Sequence, residues 1–360
     1  MIKTLLVYAA GESNQSISYQ QGWPKYFLRS DLFDCTPINL ISATTFTKAR
    51  NLLRILSRKD LDAVIILHSA FSNNCNLTGR LFEQIRKITA PKAYFIGNEY
   101  KLIPEKMAFC DELSVRLFVT QKSAPEAQAL YQDRLGCNVI GLPGAGLDTE
   151  VFFPERPFCS RPIDIGFRAN DEPWYFGHQE RRALADHFST NYDDQFELDI
   201  DVGHGRFSQS DYAGFLNCCK AQLATEAGKD YMELDDSTRM RVNAFVNENP
   251  EAEFKEIQNR FFVDRSPSPS GRSISGRQVE AAGTKTLQIM FEGHYSGYLL
   301  PDKHYLAVAK DFGNIDQVIA RFNDPQTCAT IVENAFKIAT TQLTYQALID
   351  QFHRELITIL

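Results

Sequence analysis

The chain's most unusual chemistry-bearing stretch is Ser266-Pro267-Ser268-Pro269-Ser270-Gly271-Arg272-Ser273-Ile274-Ser275-Gly276-Arg277. It is small, flexible and basic, and it leads into a short helical pattern that carries Glu280 and closes at Gly283-Thr284. A helix starting here offers unpaired N–H groups and a partial positive charge, which suits a diphosphate, with Arg277 as a forked partner. Glu280, one turn further on, could accept hydrogen bonds from ribose hydroxyls. The bland alternative is a surface loop followed by an ordinary helix start.

Other candidates fall at predicted strand ends. Arg168 follows a strand, where a basic side chain could reach phosphate; a surface arginine is the alternative. Gly203-His204-Gly205-Arg206 forms a turn whose N–H groups could cradle an anion, with Gly205 and Arg206 as candidates, although a plain turn reads as well. Thr225 and Glu226 end another strand at the same predicted rim. His68 ends a strand and is either a ligand group or a satisfied structural histidine. Asn98 and Glu99 end the next one as acceptor-side candidates, and Glu99 could serve as a general base in an inverting mechanism. Glu292 and His294 share a strand-end loop, which as a solvated loop would do no chemistry. Arg50, Arg54 and Arg58 recur every four residues, a basic helical face that could dock on an anionic membrane surface or simply be solvated.

These positions need a scaffold, and the apolar pattern supplies one. Strand candidates are Thr4–Ala9, Ala63–His68, Ala93–Gly97, Val115–Thr120 and Asn138–Leu142, separated by helical patterns at Ala43–Ser57, Leu81–Lys87 and Ala124–Leu135. Continuous apolar strands between amphipathic helices describe a parallel sheet covered on both faces. Pro143-Gly144-Ala145-Gly146 and the prolines at 154, 157 and 162 read as a linker. Beyond it the alternation restarts, with strands at Ile163–Phe167, Phe196–Asp201, Ala221–Ala224, Thr286–Phe291 and Tyr305–Ala309. Helices are expected at His178–Phe188, Ser210–Leu216, Ala252–Arg260, Arg277–Ala282, Asn314–Phe322 and Cys328–Thr340, with a last one over Thr344–Leu360. The expected domains are 1–150, 151–340 and a C-terminal helix, 341–360, packing back on the first. Two such α/β halves bind ligands at strand ends and helix N-termini.

Composition narrows the partners. The 360 residues carry a net charge of −7 and 44% hydrophobic residues, ordinary for a globular protein and against broad nucleic-acid binding. No window approaches the ~20 apolar residues of a membrane span. The start, Ile2 to Ala10, contains Lys3 and reads as a buried strand rather than an export signal. The eight cysteines are scattered without a CxxC, so the reducing cytosol is the expected location, with no zinc site.

The run from Ser275 to Ile289 resembles the R-x-x-E-A-x-x-x-G-T segment of bacterial GT-B glycosyltransferases, in particular CgeB-like and family-4-like transferases. Ile163–Arg168, Phe215–Cys218, Thr225–Gly228, Phe291–Gly297, His304-Tyr305, Asp311–Asn314 and Leu343–Tyr345 look similar, as does Gly97–Lys101 in the first half. The resemblance implies a GT-B fold: two Rossmann-like domains with parallel sheets facing a central cleft. The C-terminal domain would hold a nucleotide-sugar donor and the N-terminal one a glycan, lipid-linked glycan or other acceptor. It implies ribose contact by Glu280 and a histidine near the donor sugar at the His68 position. With the positional readings above, the donor-binding candidates are Arg168, Thr225, Glu226, Arg272, Gly276, Arg277 and Thr284, and the catalytic candidates His68, Glu99, Glu292 and His294. Family-4-like enzymes often have a glutamate eight residues before the Glu280 position; here it is Arg272, which could meet diphosphate instead.

The expected chemistry is metal-independent, retaining sugar transfer without a separate cofactor, in the cytoplasm or at the inner face of the membrane. Asp199-Ile200-Asp201 reads as D-x-D, the metal-diphosphate pattern of another glycosyltransferase fold, but so short a pattern is commonly accidental. The alternatives are a non-catalytic sugar-nucleotide sensor or scaffold, and a GT-B-type epimerase or phosphorylase. A dinucleotide oxidoreductase is disfavoured because Gly11-Glu12-Ser13-Asn14 lacks G-x-G-x-x-G.

Overall fold

The computed structural model describes all residues except 12–17, 42–52, 56, 58, 59, 204, 206, 266 and 267. The chain divides into two compact units. One comprises Met1–Gly146, Glu233–Asp236 and Tyr345–Leu360, and the other Leu147–Met232 and Ser237–Thr344. The chain thus first changes unit at Gly146, inside the Pro/Gly-rich stretch, and its final helix belongs with the N-terminal unit.

The first unit runs β1 (Ile2–Tyr8), α1 (Ser18–Arg29), β2 (Phe33–Asn39), β3 (Ala63–Ile66), α2 (Gly79–Lys87), β4 (Lys92–Phe95), α3 (Ile103–Leu113), β5 (Val115–Thr120), α4 (Pro125–Leu135) and β6 (Asn138–Gly141). Its strands form a parallel sheet in the order β2-β1-β3-β4-β5-β6. Every residue of β3 and β4 is buried, as a sheet covered on both faces requires.

Three elements of this unit escape the sequence pattern. β2 contains Pro37, which lacks an N–H, and it is tolerated because β2 is an edge strand paired only with β1. α1 contains both Gly22 and Pro24, which disguise it. Gly22 is required: a Cβ there would lie 2.2 Å from the Tyr345 ring. α3 opens with Pro104 and is buried around much of its circumference, so it lacks a clean polar face.

The second unit runs β7 (Ile163–Ala169), α5 (Glu180–Asn191), β8 (Leu198–Val202), α6 (Gln209–Cys218), β9 (Cys219–Ala224), β10 (Ala227–Gly228), α7 (Ser237–Glu248), α8 (Phe254–Phe261), β11 (Arg272–Ser273), α9 (Gly276–Gly283), β12 (Leu287–Phe291), β13 (Leu306–Val308), α10 (Ile315–Phe322) and α11 (Pro325–Thr341). Its main sheet is parallel in the order β13-β12-β9-β7-β8, and β10 and β11 pair as a small antiparallel ribbon. In each sheet the first strand lies between the second and third, so the strand order reverses beside β1 and beside β7. Crevices at the carboxyl ends of such strands are where open α/β sheets take ligands.

The last helix, α12 (Tyr345–Leu356), buries Tyr345, Leu348, Ile349, Phe352 and Leu356, one apolar stripe at helical spacing. That stripe joins the first unit's core, where Tyr345 meets Trp23 edge-on at 5.4 Å and Phe352 lies 4.9 Å from Phe95.

Arg161 holds the second unit together from beneath. Only 2% exposed, it donates to the carbonyls of Arg156, Leu216, Cys219 and Thr284 and to the Thr286 hydroxyl. The Leu216 and Thr284 carbonyls stand at the C-terminal ends of α6 and α9, the negative poles of those helices. Burial pushes the guanidinium pKa down, and carbonyl dipoles rather than a carboxylate hold its charge. A lysine has one point of attachment where the arginine has a fork. Arg161→Lys should therefore cost about 2–4 kcal/mol in urea unfolding by leaving buried carbonyls unpaired; an unchanged midpoint would show that the fork is dispensable.

Candidate functional site

The first turn of α9 is held by buried side chains at the carboxyl rim of the second sheet. Ser275 and Gln278 form a capping box, in which the Ser275 N–H donates to Gln278 Oε1 at 2.8 Å. The other end of the Gln278 amide donates to the Thr225 carbonyl at 2.9 Å. Gln222 donates to the Arg277 carbonyl (3.1 Å) and to Gln288 Oε1 (3.1 Å), and Gln288 donates to the Gln278 carbonyl (3.2 Å). All three glutamines are buried, so each amide is held to one orientation by its partners. This chain of amides fastens α9 over the end of β9 and leaves its N-terminal N–H groups at the rim.

Arg277 sits in that first turn, half-buried, and its side chain makes no hydrogen bond or ion pair with any described residue. The turn contains no acidic residue to neutralise it. Arg277 and Glu280 are both near enough to act electrostatically on Tyr212, whose hydroxyl donates to Gln222 at 3.1 Å. Gly276, Arg277, Glu280, Thr225 and Glu226 are thus gathered around one strand end.

Glu226 shapes the neighbouring loop. Its Oε1 accepts the Tyr295 N–H at 2.7 Å, and a Cβ on Gly293 would lie 2.5 Å from its carboxylate. Tyr295 (φ 43°) and Ser296 (φ 56°) lie in the left-handed region that side chains other than glycine avoid. Ser296 is held by the Ile274 N–H at 3.1 Å. Glu292 and His294 are exposed on this loop.

The structure corrects several expectations. Arg272 is 7% exposed and already engaged: it donates to Asp230 through Nε (2.8 Å) and Nη2, and to both oxygens of Glu180 (3.2 and 3.1 Å). Its fork is filled by carboxylates rather than open to diphosphate. Burial opposes both charges, yet the pairing prevails, raising the Arg272 pKa and, with His178 and Lys310, holding Glu180 at about 2. Arg168 is likewise spent, on Asp199 (2.5 Å) and the Asp199 carbonyl (2.8 Å), with its guanidinium 4.4 Å from the Phe215 ring centre. Thr284 lies at the far end of α9, its hydroxyl donating to the Ala281 carbonyl and its own carbonyl taken by Arg161. The Gly-Thr pair of the motif therefore closes the helix and does not reach the rim. Gly205 follows the edge strand β8, exposed with φ 82°, and Arg206 lies outside the described residues.

In the first unit, Glu99 is buried and fully bonded. It accepts from the Thr120 hydroxyl (2.6 Å), the Tyr131 hydroxyl (2.8 Å) and the Gln121 N–H (2.7 Å). A carboxylate so committed is a structural anchor, which corrects its reading as a general base. His68, 2% exposed, lies against the Tyr19 ring at 4.7 Å with the planes tilted by 36°, and neither ring nitrogen has a hydrogen bond of good geometry, although the Gly144 carbonyl is near. Its neighbour Ser69 accepts the Ala9 N–H at 2.9 Å, which places His68 beside the strand-order reversal. Arg54 turns to the Pro37 carbonyl at 3.1 Å, while Arg50 and Arg58 lie outside the described residues. Among those residues, no helix is long and apolar enough to cross a membrane.

Sequence reasoning missed the loop after β7. There His178 donates from Nε2 to the Gly228 carbonyl at 2.9 Å, which fixes its tautomer; its Nδ1 lies 3.8 Å from the buried Glu172. No local spacing flags His178, because the carbonyl that orients it is 50 positions away. Burial, aided by Arg272, pushes the His178 pKa down to about 4 against the opposing pull of Glu180 and Asp230; burial takes His68 to about 4 against the opposing pull of the Gly144 carbonyl. Both rings are neutral in the folded chain and charge on unfolding. Their contribution is present above pH 6.5 and is lost as the pH falls toward 4, at about 1.4 kcal/mol per pH unit for each. Urea unfolding between pH 7 and 4.5 should show this slope, and His68→Phe should flatten it; equal slopes would contradict the assignment.

No protein-family model matches the chain, and no curated protein matches it. Solved structures do. The Anabaena protein HepE, with UDP and glucose bound, is 11% identical with a TM-score of 0.51, over 99% of this chain and 100% of that one. A Rickettsia africae glycosyltransferase is 10% identical with a TM-score of 0.52, over 99% and 98%. An α-glucosyltransferase bound to UDP and a 13-mer DNA with an HMU base is 9% identical with a TM-score of 0.57, over 99% of each chain. The chain has the fold of GT-B glycosyltransferases, two parallel-sheet α/β domains. The likeness extends over its whole length but does not single out the CgeB-like group.

Proposed function

We propose that the protein is a glycosyltransferase that moves a sugar from a nucleotide donor to a glycan, lipid-linked glycan or other acceptor, with the donor held by the second unit. The observation that carries this reading is Arg277: among the basic candidates described at this rim, Arg168 and Arg272 are spent on carboxylates, and Arg277 is not. A cation at a helix N-terminus clamped by buried amides can stabilise the diphosphate leaving group without reorganising as charge develops. Glu280, one turn along, supports the ribose contact that the family resemblance implies.

The reading needs no metal clamp. Asp199, the first carboxylate of the D-x-D pattern, is bonded to Arg168, and Arg277 with the α9 N–H groups supplies positive charge instead. The retaining outcome rests on the resemblance. His68, neutral with its nitrogens short of partners, supports a contact to a sugar hydroxyl, and Glu292 and His294 stand exposed at the donor rim. UDP-linked sugars are the first donors to try, since HepE and the α-glucosyltransferase hold UDP.

Calorimetric titration with UDP-, GDP-, ADP-, TDP- and CMP-linked sugars tests the proposal. One class should bind, and Arg277→Ala and Glu280→Ala should each weaken it by about tenfold or more. Binding to none of them, or binding untouched by both substitutions, would refute it.

A further inference from the structure

We propose that a cleft of about 290 Å³ on the second unit, between Asp230 and the C-terminal end of α8, is a carbohydrate subsite in which Asp230 reads a hydroxyl of the donor's sugar. The inference rests on the reading above, that this unit holds a sugar nucleotide, and it names the residue that senses the sugar.

Asp230 is built to present one carboxylate oxygen. Oδ1 accepts from both Nε and Nη2 of Arg272, while Oδ2 makes no hydrogen bond with a described residue, and the side chain stays 21% exposed. The backbone is pinned on both sides: the Asp230 N–H donates to the Phe176 carbonyl at 3.0 Å, and its carbonyl accepts the Ser268 N–H at 2.8 Å. The carboxylate therefore cannot turn away from the cleft without breaking its fork to Arg272. Arg272 is in turn held by Glu180, which Lys310 also binds at 2.6 Å.

The surrounding walls match a polyhydroxylated ring. Tyr231 and Phe262 pack 5.8 Å apart and give an apolar side. Gln258 and Asn259 bring exposed amides that both donate and accept. Gly177 has φ 87°, and a Cβ there would meet the Phe262 ring at 3.2 Å, so the loop after β7 admits the wall only as glycine. The volume lies just under the ~300–1,000 Å³ range for ligand pockets, enough for one compact ring. An anion is disfavoured by the open carboxylate oxygen and a compact amine by Arg265 at the edge, stacked 4.8 Å from Tyr231. A neutral ring of hydroxyls satisfies the acceptor, the amides and the aromatic side together.

The test compares UDP alone with the sugar nucleotide that the full-length protein binds best. Asp230→Asn should bind UDP as the wild type does but lose about tenfold or more in affinity for the sugar nucleotide, because an acceptor oxygen becomes an amide donor. Should Asp230→Asn disturb the Arg272 network and fail to fold, the exposed double substitution Gln258→Ala with Asn259→Ala provides a second arm. It should lose about threefold or more on the sugar nucleotide and nothing on UDP. Unchanged sugar-nucleotide affinity in either folded variant overturns the subsite alone. Absence of nucleotide binding by the wild type overturns the functional reading and the subsite with it.

Discussion

Gln278 gives its Nε2 proton to the Thr225 carbonyl while its Oε1 takes the Ser275 N–H, and the carboxyl rim of the second sheet is organised around that clamp. α9 has only eight residues, too few to be stable alone. Buried amides hold its first turn, and Arg161 holds the carbonyl of Thr284 just past its last residue. A helix pinned at both ends keeps its N–H groups aimed in one direction, the condition for recognising a fixed anion without a reorganisation cost.

Charge is distributed with the same economy. The acidic total of −7 does not prevent a local cationic site, because several arginines of the second unit are engaged within the fold and Arg277 is not. Arg168 is paired with Asp199, Arg272 with Asp230 and Glu180, and Arg161 with carbonyl dipoles. The Arg272–Glu180 pair, buried on both sides, is costly to break because removing one partner strands the other. Groups already engaged in this way are better suited to positioning than to binding, which leaves Arg277 as the group with capacity to spare.

The alternation of apolar strands and amphipathic helices made two parallel sheets legible from composition and period alone. What stayed hidden had local reasons. β2 carries a proline that only an edge strand can absorb, and α1 carries Gly22 because Tyr345, more than 300 residues later, fills the space of its side chain. The motif around Arg277 and Glu280 was visible as a helix start. Its supporting glutamines were not, since Gln222 and Gln288 are separated by 66 positions and read as ordinary strand residues. Arg272, Thr284 and Glu99 show the converse. Their residue types suit binding or catalysis, but other groups in the fold had already claimed their polar atoms, and for Arg272 no spacing rule reveals a partner 42 or 92 residues away.

The central claim is that α9 and the end of β9 form the diphosphate site. Hydrogen–deuterium exchange with and without saturating UDP addresses it most directly. The account predicts slowed exchange in residues 222–228 and 272–280, with the N–H groups at the start of α9 most protected. UDP binding that leaves both segments unchanged and protects other parts of the chain would contradict it.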